Sequence, residues 1–130
     1  MVTLIIKGKL DGLNQYTLAC RKNKFAGATL KKKNEKLVTG TILEQLGGVT
    51  FEGPVELNLR WYEQNKRRDP DNICFAKKFI LDALVRNGII QTDNWDGVKR
   101  FVDDFYIDKE NPRIEVDIKG VDEDWIKQEN

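Results

Sequence analysis

The densest chemistry in the sequence is Lys66-Arg67-Arg68-Asp69-Pro70-Asp71-Asn72. Two carboxylates stand two residues apart, and the intervening proline biases Asp69 towards an extended conformation. In extended chain, residues i and i+2 point to the same side, so Asp69 and Asp71 can converge on one point. A single carboxylate or Asn72 would serve as an ordinary helix N-cap. Two converging carboxylates repel each other unless a cation or a proton separates them. An all-oxygen site of that kind suits Mg²⁺, with Mn²⁺ as the alternative.

Downstream, Lys78 lies seven residues after Asp71. On one continuous helix that is roughly 700° of turn and about 10 Å of rise, which puts Lys78 on the face of Asp71. Helical side chains lean towards the N-terminus, so the ammonium could reach back to the carboxylates, or instead pair with Asp82 at i+4. Asp93 follows after Gly88-Ile89-Ile90-Gln91-Thr92, a return short enough to bring it to the same pole. Thr92–Asp103 is not an EF-hand loop, because Thr92 and Asp103 occupy its first and last ligand positions.

Composition narrows the chemistry further. The chain has 130 residues and no histidine, which removes Ser-His-Asp and Cys-His nucleophiles, HExxH zinc sites and histidine general bases. Cys20 and Cys74 stand far apart with no CxxC, so no disulfide framework or zinc knuckle is indicated. The net charge of +1 averages unlike regions. Residues 1–68 carry 13 Lys and Arg against 6 Asp and Glu, whereas residues 103–130 carry 4 against 10. A basic first half favours a polyanionic partner. The opening residues are too short and too charged for a signal peptide and no apolar run spans a bilayer, so the cytoplasm is expected.

The elements that must position these residues follow from pattern. Length allows one domain over 1–130, with an acidic tail or short helix over 120–130. Thr3–Lys7 reads as a strand, Leu13–Arg21 as an ambiguous or short helical stretch, and Lys24–Gln45 as a helix stopped by Gly47-Gly48. Val55, Leu57, Leu59 and Trp61 alternate with polar residues, the pattern of a half-buried strand. Asn72–Arg86 reads as one helix, apolar nearly all round, which implies burial on a second side and hence a partner subunit. Phe101–Ile107 and Ile114–Lys119 read as a hairpin joined by Lys109–Pro112. The order β-α-α-β-α-β-β predicts an α+β domain, a mixed sheet flanked by helices.

With these residues assembled, the chain resembles the RusA-type Holliday junction resolvases, the crossover junction endodeoxyribonucleases. The likeness runs through RRDPDN at 67–72, KKFILDAL at 77–84 and NGIIQTD at 87–93, with a weaker match at Gly12-Leu13-Asn14-Gln15-Tyr16. It implies a homodimeric metal-dependent nuclease of α+β fold, acting on four-way DNA junctions in recombination and repair. It further implies Asp69, Asp71 and Asp93 as ligands of Mg²⁺ with Lys78 beside them as a catalytic group. The stretch between the two motifs is longer than in the family, so Lys78 is chosen over Lys77 from the downstream anchor Asp82. Lys66, Arg67, Arg68 and Asn72, the run Lys31-Lys32-Lys33 and, more loosely, Asn14 become the expected DNA contacts. Trp61, Tyr62 and Trp95 are candidates for stacking on unpaired bases, with Trp61 equally placed by its strand phase to be core. No organic cofactor or membrane is implied. A flap nuclease of looser substrate choice, or a module of the same fold that binds DNA without cutting, is the alternative.

Overall fold

A computed structural model of the protein describes residues 1–121; the acidic tail expected at 120–130 lies almost wholly outside them. Four strands, β1 (Val2–Lys7), β2 (Val55–Glu63), β3 (Val98–Ile107) and β4 (Arg113–Gly120), form one sheet in the order β1-β4-β2-β3. The described residues also form four helices: α1 (Leu13–Lys22), α2 (Lys24–Gln45), α3 (Pro70–Cys74) and α4 (Lys77–Arg86). The mixed sheet and flanking helices make this an α+β domain, as the pattern predicts. None of the described helices is long and apolar enough to cross a membrane.

Alternation sets the layers. Leu4 and Ile6 of β1, Leu57, Leu59 and Trp61 of β2, and Ile114, Val116 and Ile118 of β4 fall in register on one face and are all buried. Val38 and Ile42 of α2 and Phe79, Ile80, Ala83 and Leu84 of α4 close the core over that face. The opposite face is polar: Arg60 bonds Glu115 at 2.9 Å and Asp117 at 2.7 Å across the β2–β4 pair.

Three expectations change. β3 and β4 are not a hairpin: β4 pairs antiparallel with both β1 and β2, and β3 runs parallel to β2 on its far side. The α3–α4 segment supplies the long crossover that a parallel pair requires. Nor is Asn72–Arg86 one helix. It breaks at Phe75-Ala76, where backbone bonds run from i to i−3: Ala76 to Ile73, Lys78 to Phe75 and Phe79 to Ala76. Neither Gly nor Pro stands at the break. Packing holds it, because the Phe75 ring lies 5.3 Å from Tyr16 and 5.7 Å from Phe79. Finally, the apolar surround of α4 is covered by the sheet, α2 and Tyr16 of the same subunit, so it gives no argument for a partner.

Candidate active site at the start of α3

The basic-acidic segment leaves the end of β2 as a loop and enters α3 at Asp69. That residue is extended (φ −74°, ψ 154°), as expected before proline, and Pro70 occupies the first helical turn. Asp69 sits at the N-cap position without making a side-chain cap bond. Asp71 is already helical, so the same-side geometry of an extended tripeptide does not apply to the pair. Both carboxylates are exposed, and neither makes a hydrogen bond or ion pair with any described residue. The capping explanation therefore fails for both.

The segment is anchored by its neighbours. Arg68 is largely buried, with Nε and Nη2 on the two Glu63 oxygens at 2.9 and 2.8 Å and Nη1 on the Leu10 carbonyl at 3.0 Å. Its guanidinium is thus spent inside the protein, which removes it from the expected phosphate contacts. Asn72 is also buried, and its Oδ1 accepts the Asn14 backbone N–H at 2.9 Å. These two asparagines tie the start of α1 to α3; Asn72 has no surface left for DNA. Gly12 makes that approach possible, since a Cβ there would stand 2.5 Å from Asn72 Oδ1 and 2.6 Å from its carbonyl oxygen. Lys66 and Arg67 remain exposed with no ion pair among the described residues.

The helix break redirects the two lysines. Lys78 Nζ reaches Asp82 at 3.2 Å and Asp93 at 3.3 Å. Lys77 turns the other way, onto Asp103 of β3, with its ammonium 4.4 Å from the Phe101 ring centre. Asp103 also accepts the Trp61 indole N–H at 2.8 Å, so Trp61 is a core residue with its polar edge satisfied. Between these groups, burial pushes the Cys74 thiol pKa up, and the negative charges of Asp103 and Asp71 push it the same way against Lys77. A raised pKa disfavours the thiolate, the form in which a cysteine acts as a nucleophile. Nothing in the sequence marks Asp103 as the partner of Lys77, because its place there depends on the β2–β3 register that pairs it with Leu59.

Asp82, an anchor in the sequence reading, has a physical role. It joins α2 to α4 by taking Lys31 at 3.1 Å together with Lys78. Burial works against its ionisation, but the bonds from Lys31 and Lys78 outweigh that and hold its pKa below the ordinary value. A carboxylate lowered on folding contributes stability that is complete above its unfolded pKa of about 3.9 and fades as pH falls through the folded value. In urea titrations the stability gap between wild type and Asp82→Asn is expected to be constant from neutral pH to about pH 4.5 and to close below about pH 4. A gap unchanged at low pH would show that charge does not carry it. Of the lysine run, Lys31 and Lys33 are in ion pairs, Lys33 with Asp11 at 3.1 Å, and Lys32 is exposed.

The expected three-aspartate cluster is only partly gathered. Among the described residues, no three acidic or cysteine side chains converge tightly enough to hold one metal ion. Asp69 and Asp71 share the start of α3, while Asp93 belongs to the Lys78–Asp82 group. Two free carboxylates still fit Mg²⁺, which is commonly held through one or two carboxylates, water and substrate phosphate. Beside Asp69, a cleft of about 300 Å³ opens between Lys66 and Pro70 on one wall and Phe105 and Tyr106 on the other. Trp95 stands apart, 86% exposed in the loop before β3.

No curated protein matches the chain. The family model described as "Endodeoxyribonuclease RusA" matches residues 21–119, from the end of α1 through β4 and including every aspartate discussed above except Asp11. The weaker likeness at Gly12–Tyr16 lies outside that match. The chain belongs to the RusA endodeoxyribonuclease family.

Proposed function

We propose that this protein is a Mg²⁺-dependent endodeoxyribonuclease that cuts phosphodiester bonds at four-way DNA junctions, acting as a homodimer in recombination and repair. The observation that carries the reading is the pair of exposed, unengaged carboxylates at the start of α3, beside the free cations Lys66 and Arg67. A bound Mg²⁺ supplies an activated water and neutralises charge on the scissile phosphate. Asp69 and Asp71 would hold it, while Asp93, engaged by Lys78, keeps that ammonium in place. Lys66 and Arg67 hold backbone phosphates and so fix register without reading sequence, with Lys32 as a more distant contact. Lys77 and Lys78 are ammonium groups kept in place by Asp103 and by Asp82 with Asp93, ready to offset charge that develops on the phosphate.

A junction with twofold-related arms is matched by a twofold enzyme, which is the physical support for a dimer. Sedimentation at micromolar concentration tests that part: a 15.0 kDa particle would count against it. The activity is tested by giving the protein a four-way junction and a linear duplex of matched sequence, with Mg²⁺ or with EDTA. Paired nicks in the junction, little cutting of the duplex and none in EDTA are expected. Equal cleavage of both substrates would replace the junction reading with that of a looser nuclease. Binding to the junction without cleavage at any metal concentration would leave only a DNA-binding module.

A further inference from the structure

The sheet has two outer edges, and the chain treats them differently. At β1 the Gln45 side-chain amide accepts the Ile5 backbone N–H and donates to the Ile5 carbonyl, both at 2.8 Å, so the subunit closes that edge itself. β3 forms the other edge. From Arg100 to Ile107 it runs in unbroken register with β2, without bulge or proline. Among the described residues no strand and no side chain takes the outer backbone groups of this stretch. Phe101, Phe105, Tyr106 and Ile107 along it are 37–49% exposed. An open, regular edge that carries exposed apolar side chains is a template for a further strand. The strand is also held firmly from within. Tyr106 stacks on Tyr62 at 4.9 Å, and the Arg113 guanidinium covers the other side of that ring at 3.8 Å from its centre. Tyr62, a stacking candidate from sequence, is thus enclosed in its own subunit, and β3 is ordered before any partner arrives.

The charges on β3 are complementary to themselves. Register with β2 places Arg100, Val102 and Asp104 on the polar face, beside Glu56, Asn58 and Arg60. The Arg100 side chain is 55% exposed and its ion pair with Glu56 is long, at 4.0 Å. Asp104 is exposed and has no ion pair among the described residues. A twofold axis perpendicular to the sheet keeps each face on its own side. With that axis at Val102, Arg100 stands directly opposite the partner's Asp104, and the pair occurs twice. An axis at Asp103 instead sets that carboxylate against its own copy. On the other face Phe101 then lies diagonal to the partner's Phe105, within reach of an aromatic contact. A strand from an unrelated protein has no reason to match β3 symmetrically about one residue, whereas a second copy of this chain does so by construction.

We propose that β3 is the seam of the homodimer: two copies pair their β3 strands antiparallel about an axis at Val102, joining two four-stranded sheets into one of eight. The proposal rests on the reading of the protein as a homodimer and names the surface that forms it.

The test is sedimentation of wild type and of two charge reversals, Arg100→Glu and Asp104→Lys, alone and mixed. Wild type at micromolar concentration is expected at twice 15.0 kDa. Each variant alone sets like charges opposite one another at two places, and its dimer is expected to dissociate at least tenfold more readily. In the mixture, the new glutamate of one chain faces the new lysine of the other, and the second pair keeps its native charges. Mixing two dissociated variants is therefore expected to restore a dimer, which a merely local disturbance of either chain does not predict. Variants that stay dimeric, or a mixture that stays dissociated, overturn the seam while leaving the homodimer reading intact. Wild type that sediments at 15.0 kDa overturns both together. Should the charge variants fail to fold, Val102→Cys decides. At the axis this cysteine meets its own copy and is expected to form a disulfide-linked dimer on mild oxidation, identified by peptide mass spectrometry. Asp104→Cys, about 13 Å from its own copy along the seam, is expected not to. No crosslink through position 102 overturns the seam.

Discussion

Asp71→Asn is expected to bind four-way junctions as wild type does and to cut them more slowly by a factor on the order of a thousand. The substitution keeps size and hydrogen-bonding capacity but removes the charge that a hard cation needs. It touches no contact in the folded protein, because the Asp71 carboxylate is exposed and bonds to no described residue. Stability should therefore stay within about 0.5 kcal/mol of wild type, as relief of repulsion with Asp69 offsets a lost acidic group in the first turn of α3. Rates on a junction with saturating Mg²⁺, read beside binding in EDTA, separate the chemistry from the docking. A variant that cuts at the normal rate would remove Asp71 from the metal site.

Arg68→Ala is expected to act in the opposite way, on the fold before the DNA. The Arg68–Glu63 pair is bidentate and both side chains are nearly enclosed, 12% and 9% exposed. Removing the guanidinium strands a buried carboxylate and also leaves the Leu10 carbonyl without its donor. Such a loss costs about 3–5 kcal/mol, enough to lower the melting temperature by on the order of 10 °C or more. Replacing both partners, Glu63→Leu with Arg68→Met, is expected to recover much of that loss, since a matched apolar pair avoids the stranded charge. Melting curves of the single and double variants check this. If Arg68→Ala melts with wild type and only its DNA affinity falls, Arg68 is a phosphate contact after all.

The two variants illustrate what was legible in the sequence. Composition and motif located the reactive segment, and the alternation of Val55, Leu57, Leu59 and Trp61 placed a buried strand ahead of it. Pattern cannot distinguish an arginine reaching for solvent from one folded back onto Glu63, because both lie in the same charged run. The break at Phe75-Ala76 was equally hidden, since no residue there disfavours a helix and only the Tyr16 and Phe79 rings hold the turn. That break then decided which way Lys77 and Lys78 point. Strand order was the largest loss: Ile114, Val116 and Ile118 alternate as a strand wherever it inserts, and pairing with both β1 and β2 is a long-range choice. Asp103 acquires meaning only through the parallel register with Leu59, which brings it to Lys77 and the Trp61 indole.

The central position of β4 has a consequence for how the molecule comes into being. β1 touches the sheet only through β4, and the register joins Leu4 to Val116, more than a hundred residues apart in sequence. A ribosome-bound chain that has released everything up to Pro112 holds β1 with no strand to pair with, only Gln45 of α2 to bond the Ile5 backbone, and leaves the β4 edge of β2 open. Closing a loop of that span carries a large entropic cost before any contact offsets it, which makes assembly slow and late. During synthesis the nascent chain thus exposes two sticky edges until its final strand emerges, the interval in which a molecular chaperone would find most to hold.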